Sequence, residues 1–282
     1  MRWIGRSESG NVEDRRGTTT RRVMGGGIGT LIIVLLVWLL GGDPMQFLRE
    51  NEGGVTTSSV QSEPRSVEEE QLASYTKVVL KDTEDVWSTL FKQAGSQYRM
   101  PTLVLYSGQV QSACGYGSGA SGPFYCPGDE KLYLDLSFCN ELKNQLDAPG
   151  DFAIAYVIAH ELGHHVQNLL GITDKISALQ GRVSEEEYNR YSVRLELQAD
   201  FFAGVWAHYE QKLNNVLEPG DLDEAINAAA AVGDDRLQRM TQGYVVPDAF
   251  THGTSAQRQR WFKKGWDTGD IRQGDTFSAS SL

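Results

Sequence analysis

The stretch AYVIAHELGHHVQNLLG, residues 155–171, carries three of the five histidines of the chain and one glutamate in a largely apolar run. The apolar context from Phe152 to Leu170 predicts a helix through this stretch. Residues four positions apart lie one turn above each other on the same face of a helix, so His160 and His164 can direct their imidazoles at one point. The stretch therefore predicts a metal site on a helix.

The five residues from His160 to His164 form an H-E-x-x-H pattern. Two neutral imidazoles suit zinc, and a catalytic zinc site keeps one position open for water. Glu161 would take a proton from that water as it attacks a carbonyl, and would pass the proton to the leaving amine. The alternative is a pair of core histidines satisfied by hydrogen bonds. His165 points away from His164 and is predicted to be a bystander.

A third metal ligand has to come from elsewhere in the chain. The extended H-E-x-x-H-x-x-G-x-x-H pattern is absent, because Gln167 and Leu170 stand where it needs glycine and histidine. A capping box at Ser184 predicts the start of a second helix, in which Glu196 and Asp200 are four residues apart. Glu196 is the predicted ligand, and Asp200 would accept the far N–H of a metal-bound imidazole. The alternative for Glu196 is a surface ion pair.

The sequence also resembles a known family over nearly its whole length. That family consists of bacterial single-pass membrane proteins described as neutral zinc metallopeptidases, and its H-E-x-x-H and E-x-x-x-D motifs are similar to those of the glutamate-zincin peptidases. The resemblance is carried by the opening MRWIGRSESGNVEDRRG and by HELGHHVQ (160–167), ELQADFFAGVWAH (196–208) and THGTSAQRQRWFKKG (251–265).

The resemblance implies Zn²⁺ held by His160, His164 and Glu196, with Glu161 as the general base and Asp200 behind a ligand. Related glutamate-zincins often place a late histidine or tyrosine near the zinc, which makes His252 a catalytic candidate. It would stabilise the oxyanion of the tetrahedral intermediate or occupy the open coordination position as a latch. The alternative is a histidine that caps or packs.

Residues 23–40 read VMGGGIGTLIIVLLVWLL, eighteen residues without a charge. That length is just enough to cross a bilayer, so a transmembrane helix is predicted over 23–42. A buried core helix and a cleaved signal peptide are the alternatives, although a signal peptide usually has a shorter apolar region and no clear cleavage site follows here.

Residues 1–22 contain six arginines and three acidic residues, a net charge of +3. The positive-inside rule predicts that this segment is a basic tail in the cytoplasm. The predicted location is therefore the cell membrane, with a single crossing and the rest of the chain in the periplasm or at the cell surface.

The organisation beyond the span follows from composition and periodicity. Residues 43–66 predict a flexible linker, residues 67–270 one folded domain, and residues 271–282 a C-terminal tail. Residues 101–111 and 131–137 predict neighbouring strands of a small sheet, whereas the rest of the domain is mostly helical by pattern. The predicted fold class is a mainly helical α+β, zincin-like metallopeptidase domain.

The strand from Leu132 to Leu136 precedes the predicted metal helix closely. In enzymes of this kind an edge strand commonly holds an extended peptide by backbone hydrogen bonds, and the alternating leucines fit a strand with one buried face. The alternative is an ordinary strand of the sheet.

Charge and cysteine content narrow the partners. The tail of +3 leaves −14 on the remainder of a chain whose net charge is −11, and an acidic body argues against a nucleic-acid partner. Cys114 and Cys126 flank a glycine-rich turn and could pair in an oxidising compartment, leaving Cys139 over. The alternative is three reduced cysteines, and the absence of C-x-x-C argues against a zinc finger.

The leading hypothesis from sequence is a membrane-anchored, zinc-dependent endopeptidase acting on a peptide or protein substrate. A zinc-stabilised binding or chaperone-like module without turnover is the main alternative, and Glu161 favours catalysis because a binding module does not need it. Hydrolysis of a non-peptide amide in the cell envelope would use the same chemistry. The sequence predicts neither the oligomeric state nor the substrate.

Overall fold

The computed structural model describes residues 1–17, 65–118 and 122–282. The strands in these residues are β1 (Val12–Asp14), β2 (Thr102–Tyr106), β3 (Gln109–Ser112), β4 (Gly115–Ser118), β5 (Phe124–Cys126) and β6 (Lys131–Asp135). Three parallel strands and one antiparallel strand form a sheet of order β1-β2-β6-β5, and β3 and β4 form a separate hairpin.

The two strands predicted after Pro101 and around Leu134 are present, and β2 pairs with β6 along its whole length. The prediction that the second of them is an edge strand is wrong, because β6 lies between β2 and β5. Both faces of β6 are covered, so Tyr133 is as buried as its leucine neighbours. The edge strands of this sheet are β1 and β5.

The remaining elements are mostly helical, which confirms the mainly helical α+β class. The helices are α1 (Val67–Gln93), α2 (Ser137–Asn144), α3 (Asp151–Leu169), α4 (Ile172–Ser177), α5 (Glu185–Asn214), α6 (Asp221–Ala231), α7 (Asp234–Gln242) and α8 (Ser255–Thr268). The side chains of Ser66 and Ser184 accept hydrogen bonds from the third backbone N–H of α1 and α5, and so cap the starts of these helices.

Helix α3 lies at the centre of the fold, packed against α1, α5 and α6. Glycines let the neighbouring backbones approach closely. A β-carbon at Gly163 would lie 2.8 Å from the carbonyl oxygen of Ala199, and one at Gly265 would lie 2.0 Å from that of Phe201. The first contact brings the segment of α5 that contains Glu196 and Asp200 against the H-E-x-x-H turn of α3.

Residues 1–16, which we call the N-terminal strap, belong to the same compact unit as residues 65–282. Strand β1 of the strap adds to the sheet beside β2. Arg6 Nη2 lies 2.5 Å from Asp82 Oδ1 and 2.9 Å from Glu210 Oε1, and both carboxylates are buried. Ser9 donates to the buried carboxylate of Glu84. The prediction of a separate basic tail over 1–22 is therefore wrong for residues 1–16, because Arg6 and Arg16 bind carboxylates of the domain, while the cytoplasmic location stays a prediction.

The predicted transmembrane segment at 23–42 lies outside the described residues, as does all but the end of the linker at 43–66. Within the three described ranges, none of the helices has both the length and the apolar character that a bilayer crossing requires. Membrane attachment, its topology and the location of the chain stay predictions.

The C-terminal residues 271–282 also pack onto the domain. The Thr276 side chain is fully buried, and its hydroxyl donates to the carbonyl oxygen of Arg194 on α5 at 2.6 Å. The Arg194 guanidinium donates in return to carbonyl oxygens of this segment. A tail that extends from the domain is therefore not what the structure shows for these residues.

Candidate metal centre

Two imidazoles of α3 and one carboxylate of α5 meet at a single place. His160 Nε2 lies 3.2 Å from Glu196 Oε2, and His164 Nε2 lies 3.3 Å from Glu196 Oε1. Ligand atoms of the three residues all lie within 4.8 Å of one another. In a tetrahedral zinc site with ligands at about 2.0–2.1 Å, neighbouring ligand atoms are about 3.3–3.4 Å apart. The observed spacing fits a zinc ion.

The hydrogen bonds of the two rings fix their tautomers. His160 Nδ1 lies 2.8 Å from Asp200 Oδ1, and His164 Nδ1 lies 2.8 Å from Gln167 Oε1. Oxygen atoms of a carboxylate and an amide accept, so each Nδ1 carries the proton when the ring is neutral. Both Nε2 lone pairs then face the Glu196 carboxylate, and electron-rich atoms this close need a cation between them. The donor set therefore fits the metal that the sequence predicts.

The amide of Gln167 is held in the orientation that this tautomer requires. Its Nε2 donates to the Leu195 carbonyl oxygen at 2.7 Å and to Gln198 Oε1 at 3.2 Å. The amide oxygen is thereby left facing His164. Each candidate ligand histidine thus has an outer partner that orients it.

Asp200 is fully buried behind His160, in a network of hydrogen bonds. The sequence predicted Asp200 but not its other partners, Arg258 and Tyr156. Its carboxylate accepts from Arg258 Nε at 2.8 Å, from Arg258 Nη2 at 2.9 Å and from the Tyr156 hydroxyl at 2.5 Å. Burial raises the pKa of Asp200, but Arg258 and His160 outweigh burial and hold that pKa below its ordinary value. Asp200 is therefore ionised while it orients the imidazole.

The pKa shifts show that the centre favours positive charge. Burial lowers the pKa of His160, but Asp200 and Glu196 raise it more, to about 9. Glu196 likewise overcomes burial to raise the pKa of His164. Burial of Glu196 opposes ionisation, yet the two histidines hold its pKa well below the ordinary carboxyl value. Either protons or a metal cation can supply the positive charge that this cluster stabilises.

Glu161 lines the same cleft as the three candidate ligands, and the cleft has a volume of about 590 Å³. Its Oε2 accepts a hydrogen bond from the backbone N–H of Tyr125 on β5 at 2.8 Å. Burial raises the pKa of Glu161 above its ordinary value. A carboxylate beside the ligands with a raised pKa has the properties of a general base.

His252 also lines this cleft, on the segment before α8. Its Nδ1 lies 3.1 Å from Asp234 Oδ1, while Asp234 Oδ2 accepts from the backbone N–H groups of Thr251, His252 and Gly253. The hydrogen bond to Asp234 raises the pKa of His252, and Glu196 adds to this effect. Asp234 was not identified from the sequence.

Two other predictions concern β5. The disulfide between Cys114 and Cys126 is present, with their Cα atoms 5.8 Å apart, while Cys139 is free and buried. His165 lies outside the candidate metal cluster, as predicted, and its two ring nitrogens bond Tyr125 and the Arg99 carbonyl oxygen. Burial lowers the pKa of His165, which favours its neutral form.

Residues 1–277 match the family described as "Putative neutral zinc metallopeptidase". The chain belongs to this family. The family supports a metallopeptidase class and makes zinc the expected ion for the His160, His164 and Glu196 cluster.

Two relatives named as uncharacterized proteins are about half identical to this chain over the lengths that match. The "Uncharacterized protein YpfJ" of Escherichia coli (strain K12) is 50% identical over 287 residues, covering 99% of this chain and 100% of the relative. The "Uncharacterized protein Rv2575" of Mycobacterium tuberculosis (strain ATCC 25618 / H37Rv) is 47% identical over 196 residues, covering 66% of this chain and 65% of the relative. No solved structure matches the chain.

Proposed function

We propose that the chain is a zinc-dependent endopeptidase whose zinc is held by His160, His164 and Glu196. The observation that carries this proposal is the convergence of two Nε2 atoms on one carboxylate, at 3.2 and 3.3 Å, with a second carboxylate, Glu161, in the same cleft. Zinc in such a site polarises a carbonyl and lowers the pKa of water towards neutrality. A site that only binds zinc needs no further carboxylate, whereas a hydrolytic site needs one that is not a ligand to act as the base.

Glu161 acts as the general base. One of its oxygens, Oε2, is fixed by the Tyr125 N–H, and the other oxygen is available to accept a proton from the attacking water. The same carboxyl then donates that proton to the amine that leaves as the peptide bond breaks. Its burial brings its pKa closer to neutral pH, which favours both halves of the transfer.

The edge strand β5 supplies a place for an extended peptide. The Tyr125 N–H donates to Glu161 and so points away from β6, which places the outer edge of β5 beside the cleft. Because that N–H is occupied, the edge would bind a peptide N–H through the Tyr125 carbonyl oxygen, which points the same way in a strand. Backbone pairing along such an edge holds a peptide without selecting its sequence. Side-chain selectivity comes from the apolar part of the cleft wall, which consists of Phe124, Phe138, Leu146, Val157, Val232 and Leu237.

His252 stabilises the oxyanion that forms when the carbonyl is attacked. If Nδ1–H is engaged by Asp234, only the protonated ring carries a second N–H for the oxyanion. The Asp234 hydrogen bond raises the pKa of His252 and so extends the protonated form to higher pH.

Substitution of Asp234 by Asn should therefore move the alkaline limb of the kcat profile to lower pH. We expect kcat above neutral pH to fall roughly tenfold, the effect of one charged hydrogen bond, while zinc content stays the same. A pH profile of peptide hydrolysis by both proteins makes the measurement. An unshifted alkaline limb would remove His252 from the mechanism.

The metal itself is tested by elemental analysis of the purified full-length chain. We expect equimolar zinc, loss of peptide hydrolysis on chelation, and recovery when zinc is added back. Asp200→Asn should weaken zinc binding by about 10- to 100-fold, because the proton on His160 Nδ1 loses its anionic acceptor. Zinc binding without hydrolysis of any peptide in a library would favour the binding-module alternative, and absence of zinc would overturn the proposal.

A further inference from the structure

Strand β5 is held against the metal-site helix at two points. Tyr125 makes both contacts, since its backbone N–H donates to Glu161 Oε2 at 2.8 Å and its hydroxyl lies 2.9 Å from His165 Nδ1. Glu161 and His165 are four residues apart, so they occupy one face of α3 on successive turns. The first contact uses the proposed base, whereas the second uses a residue with no part in the metal centre.

The donor and the acceptor of each hydrogen bond around His165 follow from what its partners can donate or accept. The Arg99 carbonyl oxygen lies 2.7 Å from His165 Nε2 and can only accept, so Nε2 carries the proton. In the neutral ring Nδ1 then accepts, and the Tyr125 hydroxyl donates to it. Asn168 Nδ2 donates to the Tyr125 oxygen at 3.1 Å, which completes that group. These hydrogen bonds form a continuous series from Asn168 through Tyr125 and His165 to Arg99.

The His165 ring is buried among aromatic rings beside the β5–β6 turn. The ring has no exposed surface and lies edge-on to the rings of Tyr98 and Tyr125, with centroids 5.5 Å and 5.3 Å away. The Arg99 side chain binds Glu130, which lies in the turn between β5 and β6. Both ends of the β5–β6 turn are thus tied to His165, one through Tyr125 and the other through Arg99.

We propose that His165 is a positioning residue that sets the distance between the peptide-binding edge of β5 and the metal ligands. It follows His164 directly in the chain, so the strand is fixed to the same helical turn that carries a ligand. The edge strand needs this support because β5 has three residues and a single paired neighbour, β6. This inference rests on the proposed peptidase function, in which the edge of β5 holds the substrate.

Two substitutions of His165 separate its two hydrogen bonds. In His165→Asn, the amide oxygen can take the place of Nδ1 and accept from Tyr125. In His165→Gln, the longer amide can take the place of Nε2 and donate to Arg99, which leaves Tyr125 without its acceptor. Tyr125→Phe removes the same bond from the other side.

We expect His165→Gln and Tyr125→Phe to raise KM for a peptide substrate roughly five- to tenfold, with kcat within about twofold of the parent. His165→Asn should restore KM. The double variant His165→Gln/Tyr125→Phe should be no worse than Tyr125→Phe alone, because both changes break one bond. Zinc content should match the parent in all variants, since no candidate ligand is altered.

Amide hydrogen exchange provides a readout that does not depend on catalysis. Exchange in β5 should be faster in His165→Gln and Tyr125→Phe than in the parent or in His165→Asn. If the parent cleaves no peptide, the proposed function fails while exchange still tests the attachment of β5. Unchanged KM and unchanged β5 exchange in Tyr125→Phe would overturn the proposal, as would equal effects of His165→Asn and His165→Gln.

Discussion

Replacement of Glu161 by Gln should lower kcat/KM for peptide hydrolysis by about 10²- to 10⁴-fold, the usual contribution of a positioned general base. The amide cannot take a proton from water at neutral pH. Its oxygen can still accept the hydrogen bond from the Tyr125 N–H, so β5 should stay in place. Zinc content should also be unchanged, because Glu161 is not among the three residues whose ligand atoms meet.

A matched control is available in the same cleft. Glu141 on α2 is another partly buried carboxylate of the cleft wall, outside the candidate metal cluster. Glu141→Gln makes the same chemical change and should leave kcat/KM within a few-fold of the parent. Stopped-assay kinetics on one peptide, together with zinc analysis of each protein, make the comparison. Equal turnover by Glu161→Gln and the parent would show that another group is the base.

Some parts of the candidate site were predictable because they depend on local geometry. His160 and His164 share a helix face through their spacing alone, and Glu196 and Asp200 do so on the second helix. Whether these two helices pack against each other depends on the tertiary structure. Their contact depends on Gly163, where the absence of a side chain lets the backbone at Ala199 approach, and the sequence pattern does not specify which helices cross there.

Residues that orient the site were missed because their partners are distant in the chain. Arg258 bonds Asp200, and Asp234 bonds His252, across separations that no motif spans. One signal was present for Arg258: it precedes Trp261 and Phe262 by three and four residues, which places a charge on the apolar face of α8. A charge in such a position needs a buried partner.

The cluster of N-terminal arginines fits two interpretations, a cytoplasmic flank and a set of ion-pair partners within the fold. Beside an apolar stretch, a cluster of arginines predicts a cytoplasmic flank, and this rule considers only charge. In the structure Arg16 is almost fully buried and binds Asp14, Glu69 and Glu70. The acidic partners belong to α1 as well as to the strap, so their role appears only when the strap packs onto the domain.

Removal of the Arg6 side chain tests that packing directly. Arg6 is the cation beside Asp82 and Glu210, whose side chains are 4% and 0% exposed. Breaking a buried ion pair from one side leaves an uncompensated charge, which typically costs about 3–5 kcal/mol. We therefore expect Arg6→Ala to lower the free energy of unfolding by about that amount at pH 8, measured by urea denaturation.

The loss should be smaller at pH 5, and the sign follows from Asp82. Burial, and then Glu210, raise the pKa of Asp82 from 3.8 to about 7. A raised pKa means that the folded protein binds the Asp82 proton more tightly than the unfolded chain does. The stability gained from this proton is fully present below pH 3.8 and is lost as the pH rises through about 7. At pH 5 Asp82 is protonated in the folded protein, so the loss of Arg6 costs less. At pH 8 the carboxylates of Asp82 and Glu210 are both ionised, and the loss of Arg6 removes the cation between them.

The exposed Arg190 provides the control for this experiment. It pairs with Glu186 four residues away on the surface of α5, with 71% of its side chain exposed. Arg190→Ala should cost less than about 0.5 kcal/mol at either pH. If Arg6→Ala cost as little as Arg190→Ala, or the same at pH 5 and pH 8, the strap would not be supplying the charge that the buried carboxylates require.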